Sequence, residues 1–276
     1  MHRYLVAVIS CFTLIVCISQ QAKPKNKNQD YFKTYTKADK LYRDAESLSG
    51  TKGFSDEDEE TMNKMALEEF RRAIELMKST GQKNDSLAFF CYLKTGILEH
   101  YFGNITEAKV EYLNCIQSKI NLRNLADSFL FKPYLYTGTI YYLQDEFDSA
   151  FIFYKKAEQV INNYAVTITE TERLYNTFGS IYMSTGNYRQ AKNYFEKAIS
   201  VLPPSHPYYT ALLVNYKINT AGALIQLEDY EKADSIYQSV LPFHINTNEI
   251  EHNIGLINLY TGKYHSAIGY FKKTSY

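Results

Sequence analysis

The sequence predicts an all-α protein, an α-solenoid in which antiparallel helix pairs stack side by side. Three observations predict this fold. A small residue, an aromatic residue and a second small residue recur with spacings of four and three, which places all three on one helical face. A glycine or alanine stands twelve residues ahead of most of these triplets. The 276 residues include only 12 Gly and 6 Pro, so few positions interrupt long helices.

Bulk composition indicates a folded protein without a strong electrostatic preference. Hydrophobic residues make up 45% of the chain and charged residues 22%, which is ordinary for a globular protein. Thirty basic side chains balance thirty acidic ones, so nucleic acid and anionic membranes are disfavoured as partners. The 26 Tyr residues reflect either a codon bias or the use of Tyr as rigid, amphipathic contact area.

The first residues predict export. The apolar run from Leu5 to Ile18 is too short to span a bilayer and has the length of a signal-peptide core, which predicts a signal peptide over residues 1–19. Lipidation at Cys17 or Cys11 is the alternative. Residues 20–30 follow as a polar linker, and no later segment is apolar enough to cross a membrane. We therefore expect a periplasmic or envelope-associated protein without a transmembrane helix in its mature chain.

The triplets recur at nearly constant intervals. Their first Ala residues lie 42, 42, 41, 42 and 34 residues apart, a regularity that chance does not explain. The six copies are Ala66-Phe70-Ala73, Ala108-Tyr112-Cys115, Ala150-Tyr154-Ala157, Ala191-Phe195-Ala198, Ala233-Tyr237-Val240 and Ala267-Phe271-Thr274.

The residues ahead of each triplet predict a partner helix and a tight turn. A small residue in mid-helix lets a neighbouring helix come close. These residues are Gly96, Gly138, Gly179, Ala221 and Gly255. The turns are predicted at Gly103-Asn104, Asp145-Glu146, Gly186-Asn187, Glu228-Asp229 and Gly262-Lys263. Each unit is therefore a helix, a turn and a second helix packed closely on the first.

These residues resemble the tetratricopeptide repeat, whose helix pair carries a small residue, a Tyr, an Ala, an aromatic residue, an Ala and a closing Pro. The fullest copy runs from Tyr175 to Pro203 and contains Phe178, Gly179, Tyr182, Gly186, Ala191, Phe195 and Ala198 in matching positions. The resemblance covers residues 85–276 well and 31–84 loosely. It implies a right-handed superhelix of about six helix pairs over residues 31–276. Four of the five intervals exceed the family period of 34 residues, which alters the groove.

The resemblance also implies a non-enzymatic scaffold that binds a protein or peptide in a concave groove lined by the first helices. Residues expected to face this groove are Leu93, Ile97, His100, Tyr101, Leu135, Thr139, Tyr142, Asn176, Ser180, Met183, Asn219, Gln226, His252, Asn253 and Tyr260. The basic residues with which some family members clamp a C-terminal carboxylate are missing. Apolar contacts and amide hydrogen bonds to an extended segment are therefore expected, and packing inside the array is the alternative for each residue.

Sites for catalysis, cofactors or metals are not predicted. Ser55 and the acidic residues to Glu60 are typical of a capped helix start and lack the glycine of a calcium loop. The six His residues lack zinc spacing, and no nucleophile or cofactor motif occurs. Cys91 and Cys115 lie where the ends of an antiparallel pair meet, so they form either a disulfide or, at Cys115, a small apolar filler.

The last helix pair has no capping helix after it within this sequence, although repeat arrays need a polar terminal cap. Its apolar edge is expected to dock on a partner or a second copy, or to be covered if the natural chain continues. The second possibility produces an alternative function, in which the array is the sensor portion of a membrane-spanning bacterial transcriptional regulator.

Overall fold

The computed structural model describes residues 29–49, 51, 53–81, 86–119, 122, 124–164 and 168–274. Within these ranges the secondary structure consists of twelve α-helices and two short 3-10 turns, without a β-strand, which confirms the all-α prediction. No helix in the described ranges combines the length and apolar character that a membrane span requires. The predicted signal peptide, both candidate lipidation cysteines and residues 20–28 of the linker lie outside the described residues.

The chain divides into two compact units, residues 1–126 (unit 1) and residues 127–276 (unit 2). Unit 1 contains four helices: α1 (Gln29–Leu48), α2 (Asp56–Thr80), α3 (Ser86–Tyr101) and α4 (Ile105–Lys119). Unit 2 contains α5 (Phe131–Leu143), α6 (Phe147–Asn163), α7 (Thr171–Ser184), α8 (Tyr188–Val201), α9 (Tyr209–Gln226), α10 (Tyr230–Val240), α11 (Thr247–Tyr260) and α12 (Tyr264–Thr274).

Consecutive helices pack as pairs in both units. In unit 1, α1 packs on α2 and α3 packs on α4, while α2 also contacts α3. In unit 2 the pairs are α5/α6, α7/α8, α9/α10 and α11/α12, and each second helix packs on the first helix of the next pair. First helices also touch directly, since α9 contacts both α7 and α11. This stacking confirms the predicted antiparallel helix pairs.

The start of α2 is a capping box, as the sequence predicts for a capped helix. The Ser55 side chain accepts a hydrogen bond from the backbone N–H of Asp58, and Asp58 Oδ2 accepts one from the Ser55 backbone N–H at 2.9 Å. Both bonds satisfy N–H groups that a helix start otherwise leaves unpaired. The acidic run therefore stabilises a helix terminus.

The small residues of the first helices lie directly against the aromatic rings of the second helices. A Cβ atom added at Gly138 would lie 2.6 Å from Tyr154 Cε1, and one added at Gly179 would lie 2.4 Å from Phe195 Cδ1. Carbon atoms do not approach so closely without displacing one another. Helix packing in these pairs therefore depends on glycine, as the sequence predicts. In the α9/α10 pair Ala221 occupies this position, so that pair accommodates one more carbon atom.

Every predicted turn between paired helices contains one residue with a left-handed backbone. The φ angles are +76° at Gly103, Gly186 and Gly262, +59° at Asp145 and +61° at Glu228. Glycine adopts this conformation without a steric penalty, whereas Asp and Glu do so at some cost. The repeated backbone geometry gives all five turns the same tight reversal.

Two buried carboxylates join the helix pairs of unit 1. Asp39 is 3% exposed and forms ion pairs with Lys94 and Arg43. Glu99 is 2% exposed; it accepts a hydrogen bond from Arg71 Nε at 2.9 Å and one from Asn104 Nδ2 at 2.9 Å. A buried charge requires such partners because water no longer solvates it. The Arg71–Glu99 pair therefore fixes α2 against α3.

Cys91 and Cys115 are buried thiols in the structure, and the disulfide alternative is wrong. Cys115 Sγ donates a hydrogen bond to the Phe89 carbonyl oxygen at 3.3 Å. Burial raises the pKa of the Cys115 thiol well above its usual value. Cys115 therefore takes the place of the small residue that closes the triplet.

Candidate functional site

A cavity of about 430 Å³ opens within unit 2 between the first helices of neighbouring pairs. It is formed by α5, α7, α9 and the start of α11. The lining residues are Leu135, Thr139, Arg173, Asn176, Thr177, Leu212, Asn215, Tyr216, Ile218, Asn219, Asn246 and Glu249. Side-chain amides make up a third of this lining, and only two of its residues, Arg173 and Glu249, are charged.

Four of the predicted groove residues line this cavity: Leu135, Thr139, Asn176 and Asn219. Leu135 is only 1% exposed and contributes apolar wall. Thr139 Oγ1 donates to the Leu135 carbonyl oxygen at 3.0 Å and accepts from the Tyr154 hydroxyl at 3.4 Å. The triplet tyrosine of α6 thus reaches across to the cavity edge.

A pair of asparagines links α7 to α9. Asn219 Nδ2 donates to Asn176 Oδ1 at 2.9 Å. Each side-chain amide offers two N–H groups and one carbonyl oxygen, so the bond leaves Asn176 Nδ2 and Asn219 Oδ1 without a partner in the described part of the chain. Both residues line the cavity, so the pair has a donor group and an acceptor group available to a ligand there.

A second asparagine pair links α9 to the residue ahead of α11. Asn246 Nδ2 donates to Asn215 Oδ1 at 2.9 Å. Asn215 and Asn219 lie one helical turn apart on the same face of α9, a rise of about 6 Å. The two pairs therefore form a ladder of four amides. Asn215 and Asn246 were not among the predicted groove residues, although the Asn-x-x-x-Asn spacing in α9 was a signal that Asn215 shares a face with Asn219.

Arg173 forms an ion pair with Glu170, and it shares that carboxylate with Lys132. Arg173 Nη1 donates to Glu170 Oε2 at 2.9 Å, and the same carboxylate accepts from the Tyr136 hydroxyl at 2.6 Å and pairs with Lys132 at 2.6 Å. Burial acts to raise the pKa of Glu170, but Lys132, Tyr136 and Arg173 outweigh it, and the pKa is lowered. The cluster holds the start of α7 against α5.

Glu172, two residues further on, has the opposite environment. It is 2% exposed, and its Oε1 atom is buried with no hydrogen-bond partner among the described residues. Burial is the main cause that raises the Glu172 pKa, and the neighbouring Glu170 adds to it. Its own backbone N–H, His206 and Arg173 act in the other direction without cancelling the effect. The folded state therefore holds a carboxylate that is costly to ionise.

We expect Glu172→Gln to stabilise unit 2 at pH 7.5 by on the order of 1 kcal/mol, because an unpaired buried charge is replaced by a neutral amide. The folded pKa of Glu172 lies above the unfolded one, so wild-type stability falls as pH rises between the two values. The gain should therefore shrink as the pH is lowered towards about 4.5. Urea midpoints at several pH values measure it.

The matched control is Glu170→Gln, which should act in the opposite direction. The lowered pKa of Glu170 contributes stability that is present above the unfolded pKa and lost as pH falls through the folded one. This variant should lose stability at pH 7.5. Equal urea midpoints for the two variants at pH 7.5 would contradict the assignment of the two environments.

The other eleven predicted groove residues do not line this cavity, and their role in binding stays a prediction. Leu93 is buried, in keeping with the packing alternative, and Tyr101 is 54% exposed beside Phe102. The Tyr142 ring packs on Phe147, and the Tyr260 ring lies 5.5 Å from that of Tyr230. The remaining seven are Ile97, His100, Ser180, Met183, Gln226, His252 and Asn253.

Comparison with protein families decides the type of repeat. The model described as "Tetratricopeptide repeat" matches residues 172–203, which span α7 and α8. Residues 172–203 are a tetratricopeptide repeat. The matched segment contains the copy from Tyr175 to Pro203, which agrees with the repeat pattern at the largest number of positions. Tetratricopeptide repeats are typical of protein–protein interaction scaffolds without catalytic activity.

A curated relative and two solved structures are similar to this chain. The transcriptional activator NprA of Geobacillus stearothermophilus is 26% identical over 164 residues, which are 56% of this chain and 40% of NprA. The chain thus matches less than half of that relative's length. BtubC from P. vanneervenii superimposes with a TM-score of 0.62 at 14% identity, covering 75% of this chain and 87% of BtubC.

YrrB, described as a TPR protein with an unusual peptide-binding site, superimposes with a TM-score of 0.53 at 15% identity. The superposition covers 74% of this chain and 90% of YrrB. At such low identities the two structures share the fold with this chain and nothing more specific. They agree with the stacked helix pairs of both units.

Among the described residues no group of three or more His, Cys, Asp or Glu side chains is arranged to hold a metal ion. Of the two charged lining residues, Arg173 pairs with Glu170, which does not line the cavity. The rest of the lining combines side-chain amides and hydroxyl groups with apolar walls.

Proposed function

We propose that this protein is a non-enzymatic scaffold that binds an extended segment of another polypeptide in the unit 2 cavity. The observation that carries the proposal is the ladder of four asparagines across α7, α9 and the start of α11. Hydrogen bonds of this kind recognise the main chain of a peptide, which every sequence shares.

The unused groups of the ladder match a peptide amide. Each asparagine pair retains at least one N–H group and one carbonyl oxygen towards the cavity, whichever way the amides are turned. A peptide bond presents the complementary acceptor and donor. An extended chain repeats its orientation every two residues, about 6.7 Å, and Asn215 and Asn219 are separated by a helical rise of about 6 Å. Two alternate peptide groups can therefore meet both asparagines of α9.

The apolar part of the lining provides room for the side chains of such a segment. Leu135, Leu212 and Ile218 border the amides on α5 and α9. Ligand sites combine apolar walls with a few placed polar groups that fix orientation. YrrB, whose described property is a peptide-binding site, has the same fold and supports the proposal by analogy alone.

We expect Asn215→Ala and Asn219→Ala each to weaken peptide binding about tenfold, since each removes one main-chain hydrogen bond and frees its partner amide. The probe is a library of hexapeptides with a C-terminal fluorophore, and the measurement is fluorescence anisotropy with the full chain. Asn193→Ala is the matched control, because Asn193 is exposed on α8 away from the cavity.

The proposal is wrong if the wild-type protein binds no hexapeptide of the library. It is also wrong if Asn193→Ala weakens peptide binding as much as Asn219→Ala does. Circular dichroism of each variant shows that the helices remain intact. If Asn219→Ala loses helical signal, Asn219→Leu replaces it in the test, because Leu keeps the size of the side chain and removes both amide groups. In that variant tenfold weaker binding again supports the ladder, and unchanged binding rejects it.

We further propose that the mature protein acts outside the cytoplasm, in the periplasm or attached to the envelope. The support is the apolar run from Leu5 to Ile18 with basic residues before it and polar residues after it. N-terminal sequencing of the native protein tests this proposal: a mature chain that starts near Gln20 supports it, and one that retains Met1 rejects it.

The second candidate function is the sensor portion of a transcriptional regulator. It is favoured by the similarity to NprA, a transcriptional activator that is longer than the matched region. In this candidate the cavity still binds a peptide, and the bound state changes the activity of another domain. The coding sequence beyond the codon of Tyr276 discriminates the two: a further apolar span of about 20 residues favours the sensor, and a stop codon favours the scaffold. Self-association through the exposed face of α12, where Ile268 is 51% exposed, is a proposal that sedimentation analysis tests.

A further inference from the structure

The start of α11 has the residues of a capping box but does not form one. Asn246 stands at the cap position and Glu249 three residues later, an arrangement in which the two side chains usually bond to each other's backbone N–H groups. In α2 Ser55 and Asp58 make these bonds. In α11 no side-chain cap bond is present, and the Asn246 backbone is left-handed, with φ of +51°.

Both side chains instead belong to the cavity. The Asn246 amide donates to Asn215 across the cavity wall, and Glu249 lines the same space. Residues 246–249 also line a second, open depression, which shares Asn246 and Glu249 with the cavity. The helix start thus lacks the two capping-box bonds, and both polar side chains line the cavity instead.

Glu249 is the one cavity-lining charge without a counter-charge in the described part of the chain. Of the two charged lining residues, Arg173 is held by Glu170 at 2.9 Å. Glu249 is exposed and has neither an ion pair nor a hydrogen bond with the described residues. The α11 end of the cavity therefore presents a carboxylate that no ion pair with the described residues neutralises.

We propose that the polypeptide segment bound in this cavity places a positively charged amino or guanidino group against Glu249. This inference rests on the proposed function, because it assumes that the asparagine ladder holds the main chain of that segment. A cationic group of the ligand holds the Glu249 carboxylate towards the cavity, because it donates hydrogen bonds to that carboxylate. Hydrogen bonds to charged groups contribute more to binding than those to neutral groups. Among peptide segments whose main chains bind the asparagine ladder equally well, those with a positive charge near Glu249 should therefore bind more tightly.

The experiment compares four pools of hexapeptides on the full chain by fluorescence anisotropy, each with a C-terminal fluorophore and no other charged residue. Three pools are N-acetylated and contain one Lys, one Glu or one additional Ala, introduced at each position in turn. The fourth contains the additional Ala and a free N-terminal ammonium group. The Lys pool and the ammonium pool separate the two sources of positive charge.

We expect wild type to bind the Lys pool or the ammonium pool about tenfold more tightly than the Glu pool, a difference of about 1.4 kcal/mol. Glu249→Gln should reduce this difference to less than about threefold, and Glu249→Lys should reverse it. Glu231→Gln is the matched control, since Glu231 is an exposed first-turn residue of α10 that does not line the cavity. It should leave the preference unchanged.

Equal binding of all four pools by wild type overturns this inference while the proposed peptide binding stands. The same conclusion follows if Glu249→Gln keeps the full preference of wild type, or if Glu231→Gln loses it. Failure of every pool to bind overturns the proposed function itself, and the inference with it.

Discussion

Gly179→Ala is expected to lower the free energy of unfolding of unit 2 by about 2–3 kcal/mol. The added Cβ would lie 2.4 Å from both Cδ1 and Cε1 of Phe195. That ring has nowhere to move, because it is 1% exposed and packs in a cluster with Ala191 and Ala223. The clash with the added Cβ can be removed only if α7 and α8 move apart, and this movement weakens the packing along the whole helix pair. Urea denaturation followed by circular dichroism measures the loss.

Gly222→Ala is the matched control for this prediction. Gly222 also lies inside a helix of unit 2, but an added Cβ would meet nothing within 4 Å. Because alanine is the better helix former, this variant should be about 0.5–1 kcal/mol more stable than wild type. A Phe195→Leu change in the Gly179→Ala background should recover part of the lost stability. Equal stabilities of the two single variants would show that the close approach is not required.

Arg71→Met is expected to destabilise unit 1 by about 3 kcal/mol. The change keeps an unbranched side chain of similar length but removes the guanidinium group that Glu99 needs. Glu99 is 2% exposed, so its carboxylate would keep only the hydrogen bond from Asn104 at 2.9 Å. The cost comes from a buried charge left without a counter-charge. Urea denaturation again gives the measurement.

The neighbouring Arg72 provides the control. It is exposed on the same helix and has no ion pair with the described residues, so Arg72→Met should change stability by less than about 0.5 kcal/mol. A second change, Glu99→Met in the Arg71→Met background, removes the stranded charge and should recover most of the loss. No recovery in the double variant would mean that packing of Arg71, and not its charge, fixes α2 on α3.

The helix pairs could be predicted from the sequence because their causes are local and repeated. Ala150, Tyr154 and Ala157 define one face of α6, and Gly138 stands at the matching position of α5, where the structure shows ring and glycine in contact. A single residue type at fixed spacing was enough to predict a close approach. The turns followed from the same register, although Asp145 and Glu228 gave no indication that their backbones are left-handed.

The cavity could be predicted only in part, since its members come from different intervals of the repeat. Asn176 and Asn219 were predicted because both lie on the side of a first helix that faces the groove. In the structure they are hydrogen-bonded to each other. Asn246 precedes α11 in a connection after a 3-10 turn, where the interval between triplets falls to 34 residues. Its contact with Asn215 depends on a left-handed backbone that the sequence pattern does not specify. Glu249 could not be predicted as a cavity residue, because an acidic residue in the first turn of a helix is common and usually stabilises the helix start.

The two thiols give unit 1 an internal reporter of its own opening. All four Cys residues of the chain precede residue 127, and Cys91 and Cys115 are fully enclosed. A thiol shielded in this way reacts with an alkylating reagent only when the surrounding helices part. In a chain whose Cys11 and Cys17 are absent, the rate of modification therefore follows the opening of the unit 1 helices that enclose Cys91 and Cys115. Motions within unit 2 alone expose no thiol, because unit 2 contains no Cys residue, and they are not detected by this measurement.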